Sequence, residues 1–236
     1  MAAQATAEAS VPAPRNDDVA VVVPVYNEAQ VVGSVVKGVL EHFSFVVCID
    51  DGSSDGSADQ VALAGARLVQ HAVNLGAGAA MQTGLDYVLA HPQIRYVITF
   101  DADGQHRVED ALAMLAELRT GEVDIVFGSR FLDRRTSMSP ARRVVLRLAT
   151  VFTNLTSRVP LTDAHNGLRA FTREVAAAFD IRQNRMAHGS EVIGQVGEHH
   201  FRYREHPVHI LYTDYSRAKG QPLMNSVNIV FDLFFR

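Results

Sequence analysis

Short, β-branched apolar runs punctuate the first half of the chain: DVAVVVPV at 18–25, FVVCID at 45–50, ARLVQH at 66–71, RYVITFD at 95–101 and DIVFGS at 124–129. They are continuous rather than alternating, the pattern of parallel strands covered on both faces. The segments between them, about 28–41, 57–65, 77–91 and 108–120, carry helical spacing. Strand and helix alternate, which predicts an α/β fold of the doubly wound, Rossmann-like kind, a mostly parallel sheet flanked by helices. Residues 130–236 are less regular, with helical stretches near 140–158 and 188–198 and a strand-like FRYREHPVHILY at 201–212. They read as an extension packed on the first half.

Length and composition narrow the picture. A chain of 236 residues that is 47% hydrophobic is long enough for one large α/β domain and short for two. The first 17 residues, rich in alanine and proline, have neither a basic start nor an apolar core and predict a disordered tail rather than a leader peptide. No window reaches the roughly 18 apolar residues needed to span a bilayer. A net charge of -4 does not suggest a nucleic-acid partner. The single cysteine, Cys48, lies inside an apolar run and is read as core.

In an open parallel sheet, ligands bind beyond the carboxyl ends of the strands. There the first strand runs into PVYNE, the second into DDGSSDGS and the fourth into DADGQH, so three polar or acidic turns meet on one rim. Asp101 and Asp103 are two apart and point the same way if the strand persists that far. Two ionised carboxylates so close repel unless a cation lies between them or one takes a proton. Hard oxygen ligands in small number suit Mg²⁺ or Mn²⁺ carrying a substrate diphosphate.

The blocks VVVPVYNEAQVVGSVV, CIDDGSSDGS, NLGAGAAMQTGL, FDADGQH and FGSRF, in this order, resemble the nucleotide-sugar domain of family 2 glycosyltransferases with the GT-A fold. The similarity is strongest to the dolichol-phosphate mannosyltransferase type and its bacterial polyprenyl-phosphate relatives. TDAHNGLRAF stands where those enzymes carry a D-x-x-S-G-[FY]-[RK] block, with Asn166 in place of serine. The resemblance implies a GT-A domain over 18–220, with a nucleotide-sugar half at 18–130 and an acceptor half at 131–220, followed by a helix at 221–236.

It also implies roles. Pro24, Tyr26 and Glu28 would hold the nucleoside of a UDP- or GDP-sugar, with Ile49 and Asp51 completing that pocket. Asp101, Ala102 and Asp103 would lie along the diphosphate, with Asp103 the main metal ligand and Gln105 a second. Arg130 would face a donor or acceptor phosphate, Arg217 and Lys219 would close over the diphosphate, and Gly76 with Gly78 would let backbone approach the donor; ordinary helix geometry is the competing reading for the two glycines. The implied reaction is inverting transfer of a sugar to a polyprenyl phosphate.

The acceptor is sought in the second half. Arg134, Arg135, Arg142, Arg143 and Arg147 flank a helix rich in valine, leucine and phenylalanine, a basic amphipathic segment suited to an anionic membrane. Asp163, His165 and Arg169 are placed on the acceptor side, although a structural turn competes for His165 and Arg169. Glu191 is expected to order an arginine if the acceptor is a phosphate, or to serve as base if it is a sugar hydroxyl, a role Asp163 would share. The segment 221–236 reads as an amphipathic helix without lysine or arginine on its polar face, fit to bury against its own domain, a second copy or a small membrane protein. Membrane access is expected to be peripheral, at the cytoplasmic face. Two other readings stand beside this one: a transferase with a sugar-hydroxyl acceptor in glycan synthesis, and a nucleotide-sugar-binding module without turnover.

Overall fold

The structure is a computed structural model and describes residues 16–133, 136, 138–185, 187–211 and 215. Arg134, Arg135, Arg217, Lys219, the side chain of Arg142, the tail before residue 16 and the segment 221–236 lie outside the described residues.

Five strands fall where the apolar runs predict: β1 (Val19–Val25), β2 (Phe45–Asp50), β3 (Arg67–Gln70), β4 (Tyr96–Thr99) and β5 (Ile125–Ser129). Helices α1 (Val32–Leu40), α2 (Ser57–Ala64), α3 (Ala77–Leu89) and α4 (Val108–Leu118) connect them. Then come α5 (Pro140–Ser157), β6 (Arg169–Thr172), α6 (Arg173–Ala178), α7 (His188–Glu198) and β7 (Tyr203–Pro207). The seven strands form one sheet in the order β3-β2-β1-β4-β6-β5-β7. All neighbours pair in parallel except β6, which is antiparallel to both β4 and β5.

The continuous apolar runs are explained by burial on both faces. In β1, Val19, Val21 and Val23 pack with Val32, Val36 and Val39 of α1 and with Met114, Leu115 and Leu118 of α4. The alternate residues Ala20 and Val22 pack with Ala80, Leu85 and Val88 of α3 and with Val192, Ile193 and Val196 of α7. Cys48 lies in the first of these layers, and burial pushes its thiol up to about 12, so it is inert core.

Three boundaries differ from the sequence expectation. The first helix begins at Val32, not near residue 28, because Asn27 takes a left-handed φ of 53° and the Glu28 carbonyl accepts the N–H groups of Val31 and Val32. That turn holds Glu28 at the rim. The last strand ends at Pro207 rather than running to residue 212. The pair β6–α6 is absent from the expectation; a four-residue strand runs straight into a helix capped by Thr172, whose side chain accepts from the Val175 N–H.

Candidate active site

The strand order turns back between β1 and its neighbours β2 and β4, and the crevice at such a point is where α/β sheets bind ligands. The turn after β1 is fastened to the serine-rich turn after β2. Ser53 Oγ accepts the Asn27 N–H at 2.9 Å, Ser57 Oγ accepts the Glu28 N–H at 2.7 Å, and Asp55 Oδ2 accepts the Ala29 N–H at 3.0 Å. The Ser54 N–H is accepted in turn by Asn27 Oδ1. Tyr26 is left 48% exposed at the rim, beside Glu28. Tyr215, far away in sequence, donates its hydroxyl to Glu28 Oε2 at 2.7 Å. Burial and that bond to a carboxylate push its phenol well above the usual range.

Asp51 and Ile49 are both held within the protein. Both oxygens of Asp51 are committed inside the protein: Oδ1 to the Leu75 N–H and His71 Nδ1, Oδ2 to the Gly76 N–H. The residue therefore anchors the loop before α3. Ile49 is fully buried in the core. Gly76, at φ 107°, lies so close to the Asn184 carbonyl that a Cβ would collide with it, and Gly78 stands likewise against the Gln183 carbonyl. The close approach these glycines permit is that of the 183–184 chain.

The turn after β4 brings the acids together. Asp101 Oδ2 meets His106 Nε2 at 2.8 Å, and His106 packs its ring edge-on against Phe100. The Asp101 side chain keeps 47% of its surface accessible although protein rings it. Burial pushes its carboxyl up, but His106 and the nearby Arg169 outweigh this and hold it below the usual range. His106 shifts the other way: burial lowers it, and Asp101 more than compensates. Asp103 is raised to about 6 by burial and by the charges of Asp101 and Glu28, with the Gln105 N–H opposing at 3.0 Å. Ala102 between them is buried. Gln105 also takes the Leu211 N–H on its carbonyl, which ties the chain after β7 to this turn.

Among the described residues no group of three histidine, cysteine, aspartate or glutamate side chains is placed to hold a metal ion. The pair fits a shared cation instead. Two carboxylates converge, one of them held at a raised proton affinity by burial and by its neighbours' negative charge, and a divalent ion relieves the charge. Asp103 and the outer oxygen of Asp101 would supply the protein's share of ligands.

On the other side of Asp101 stands the loop 162–168. Thr99 Oγ1 donates to the Gly167 carbonyl at 2.6 Å, and a Cβ at Gly167 would press onto both carboxylate oxygens of Asp101. Asp163 is locked in a fork with Arg130, at 2.6 Å to Nε and 2.7 Å to Nη2, and also accepts the Arg130 N–H. Burial pushes the Asp163 carboxyl up, yet Arg130 holds it below the usual range. The Arg130 fork is thus turned toward Asp163 rather than outward. Four nitrogens around this loop are buried without a partner among the described residues: Asn166 Nδ2, Arg169 Nε, His165 Nε2 and His106 Nδ1. Arg169 is only 7% exposed, and burial draws its guanidinium down to about 10 against the opposing charges of Asp101 and Asp163. Burial lowers His165 and His188 below the ordinary histidine value, so both are neutral at pH 7.

Glu191 anchors a neighbouring stretch of chain. Its carboxylate accepts the N–H groups of Arg182 and Gln183 at 2.9–3.1 Å, holding the very chain that packs on Gly76 and Gly78. Arg143 and Arg147 stand on α5, with the Arg147 guanidinium 5.6 Å from the Phe131 ring. Sequence reading missed Ser53, Ser57, His71, His106, Gly167 and Tyr215. The serines stood in a quoted motif, and His106 closed another; Tyr215 stood two residues before Arg217, in the stretch expected to close over the diphosphate.

A mostly parallel sheet with acidic turns converging at its switch point defines the GT-A glycosyltransferase fold. Glucosyl-3-phosphoglycerate synthase from Mycobacterium tuberculosis, solved with Mn²⁺, uridine diphosphate and phosphoglyceric acid, matches with a TM-score of 0.70 over 92% of this chain and 78% of that one, at 16% identity. At that identity the likeness is one of fold. The glycosyl transferase family 2 profile matches residues 20–179, and the chain belongs to that family. An uncharacterized protein of Methanocaldococcus jannaschii is 31% identical over 93% of this chain and 92% of its own length. The UDP-N-acetylglucosamine–dolichyl-phosphate N-acetylglucosaminyltransferase of Methanococcus voltae is 27% identical over 91% and 92%. The polyprenol monophosphomannose synthase of Mycolicibacterium smegmatis is 31% identical over 68% and 64%.

Proposed function

We propose that the protein transfers a hexosyl or N-acetylhexosaminyl group from a nucleotide sugar to a polyprenyl phosphate, with inversion at the anomeric carbon. One observation carries the choice of acceptor. A sugar hydroxyl needs a base, and the two carboxylates suited to that work are committed, Asp163 to Arg130 and Glu191 to the backbone of Arg182 and Gln183. Asp103, whose carboxyl at about 6 would suit a base, is the residue a cation needs most. A phosphate monoester needs none: with a second pKa of about 6 it is largely dianionic at neutral pH. The relatives named for dolichyl-phosphate and polyprenol chemistry support the same acceptor class.

The donor lies in the crevice between β1 and β4, its nucleoside against Pro24, Tyr26 and Glu28. Asp101 and Asp103 would hold Mg²⁺ or Mn²⁺, which when bound would neutralise charge on the departing diphosphate. His106 keeps Asp101 ionised and oriented. The acceptor phosphate sits against the unpartnered N–H donors of Arg169 and Asn166. Its oxygen attacks the anomeric carbon from the face opposite the leaving group; the new C–O bond forms as the bond to the nucleoside diphosphate breaks. Positioning and charge neutralisation supply the rate. Turnover by a non-catalytic binding module would be nil, and the paired acids with a buried, partly unpartnered arginine favour an enzyme. Incubation of purified protein with a panel of UDP- and GDP-sugars, Mg²⁺ or Mn²⁺ and a short polyprenyl phosphate tests the proposal: one sugar should move to lipid, and none moving would overturn it.

A further inference from the structure

Helix α5 is built inside out. Its buried residues are small and mostly polar: Ala149, Thr150, Thr153 and Ser157. Thr150 Oγ1 accepts the Ala164 N–H at 3.3 Å, Thr153 lies 3.2 Å from the Ser190 hydroxyl on α7, and Asn154 holds both the N–H and the carbonyl of Leu161. The outer face carries four large aliphatics, with Val144 57%, Leu148 64%, Val151 55% and Leu155 77% exposed, while Val145, Leu146 and Phe152 are half-buried. At 100° per residue these four, spaced by four, three and four, fall within one narrow arc, a continuous stripe along the helix. A surface helix of a soluble domain ordinarily turns such a stripe to the core. This one does the reverse, and its inner polar contacts fasten it to the loop that bears Asp163 and His165 and leads into Arg169.

Charge selects the partner. The helix, PARRVVLRLATVFTNLTS, contains no acidic residue, and Arg143 and Arg147 lie along one edge of the stripe. We propose that the Val144–Leu148–Val151–Leu155 face of α5 is the surface on which the protein lies against an anionic bilayer, with the aliphatics entering the acyl boundary and the arginines meeting lipid phosphates. Among the described residues no helix is long and apolar enough to cross a membrane, so this attachment is interfacial. The inference rests on the polyprenyl-phosphate reading for its purpose: a helix pinned to the acceptor loop sets the site's mouth at the depth where a lipid phosphate lies.

The test uses the full chain, sedimented with vesicles of phosphatidylglycerol and phosphatidylcholine or of phosphatidylcholine alone. Wild type should bind the anionic vesicles more strongly, and binding should weaken with salt. Leu148→Glu with Val151→Glu should lower the partition coefficient about tenfold or more, since each places a charge in the contact plane; both positions are exposed, and Leu155→Glu alone provides a milder second variant. Transfer to a short, water-soluble polyprenyl phosphate should be unchanged in these variants. Undiminished vesicle binding by both variants overturns the proposal. So does a change from dimer to monomer, by light scattering, with vesicle binding intact, which would make the stripe a contact between copies. Wild type that turns over the short acceptor but ignores vesicles sinks the docking face and leaves the enzyme standing; vesicle binding without any turnover does the opposite.

Discussion

Replacing Asp103 by asparagine should make the ligand-free protein more stable while ending its response to divalent cations. The Asp103 carboxyl titrates at about 6 against an ordinary 3.8, raised by burial and by Asp101 and Glu28. A group whose folded value lies above its unfolded one lends stability that is complete below about pH 4 and lost as pH rises through about 6. At pH 7 the ionised carboxylate therefore costs the native state up to about 3 kcal/mol, at about 1.4 kcal/mol per pH unit. Partial exposure of the side chain screens this to about 2 kcal/mol. Asparagine keeps the oxygen that accepts the Gln105 N–H and removes the charge. In a domain of this size the gain corresponds to a melting temperature higher by about 4–8 °C. Adding Mn²⁺ with a nucleoside diphosphate should then invert the order. Wild type gains about 2.7 kcal/mol at a ligand concentration a hundredfold above Kd, and the variant gains little. Differential scanning calorimetry at pH 7, with and without ligands, reads both effects. A variant less stable than wild type without ligand, or equally stabilised by the ion, would refute the assignment of Asp103 as a strained, cation-seeking carboxylate.

The same shift predicts that cation affinity, measured by calorimetric titration, falls as pH drops through about 6 with uptake of a proton by the released carboxylate; a flat profile from pH 7.5 to 5 counts against it. Gly167→Ala should lower turnover on the order of a hundredfold with the fold retained, because the new Cβ displaces the Asp101 carboxylate; near-normal kcat would show that Asp101 needs no fixed position. Asp163→Asn should cost about 3–5 kcal/mol in chemical denaturation, since it removes the buried carboxylate charge that the Arg130 fork holds; a loss below about 1 kcal/mol would mean the pair is already solvated.

The parallel strands were legible because burial on both faces leaves a continuous apolar run, and the rim followed from the rule that ligands gather at strand ends. What was illegible depended on long-range partners. Asp51 looks the same in sequence whether it meets a nucleoside or, as here, the N–H groups of Leu75 and Gly76. Gly76 and Gly78 announce a close approach without saying that residues 183–184 make it. Glu191, read as a base or an arginine partner, is spent on backbone eight and nine residues away. The strand β6 is four residues long, too short for any periodicity to show, and its antiparallel place between β4 and β5 is fixed only by pairing. The basic character of α5 was visible, but that its aliphatic face points outward required knowing which side the threonines hold.

The acceptor is the centre of the account, and one comparison tests it most directly. Purified protein with its preferred nucleotide sugar and divalent ion should be offered a short polyprenyl phosphate and the matching dephosphorylated alcohol at equal concentration, with the glycolipid quantified by mass spectrometry. The phosphate should be glycosylated and the alcohol left untouched, because under the proposed function the buried, unpartnered N–H donors of Arg169 and Asn166 would meet an anion and neither Asp163 nor Glu191 is available to deprotonate a hydroxyl. Comparable product from both would contradict the account and require a catalytic base that these residues do not supply.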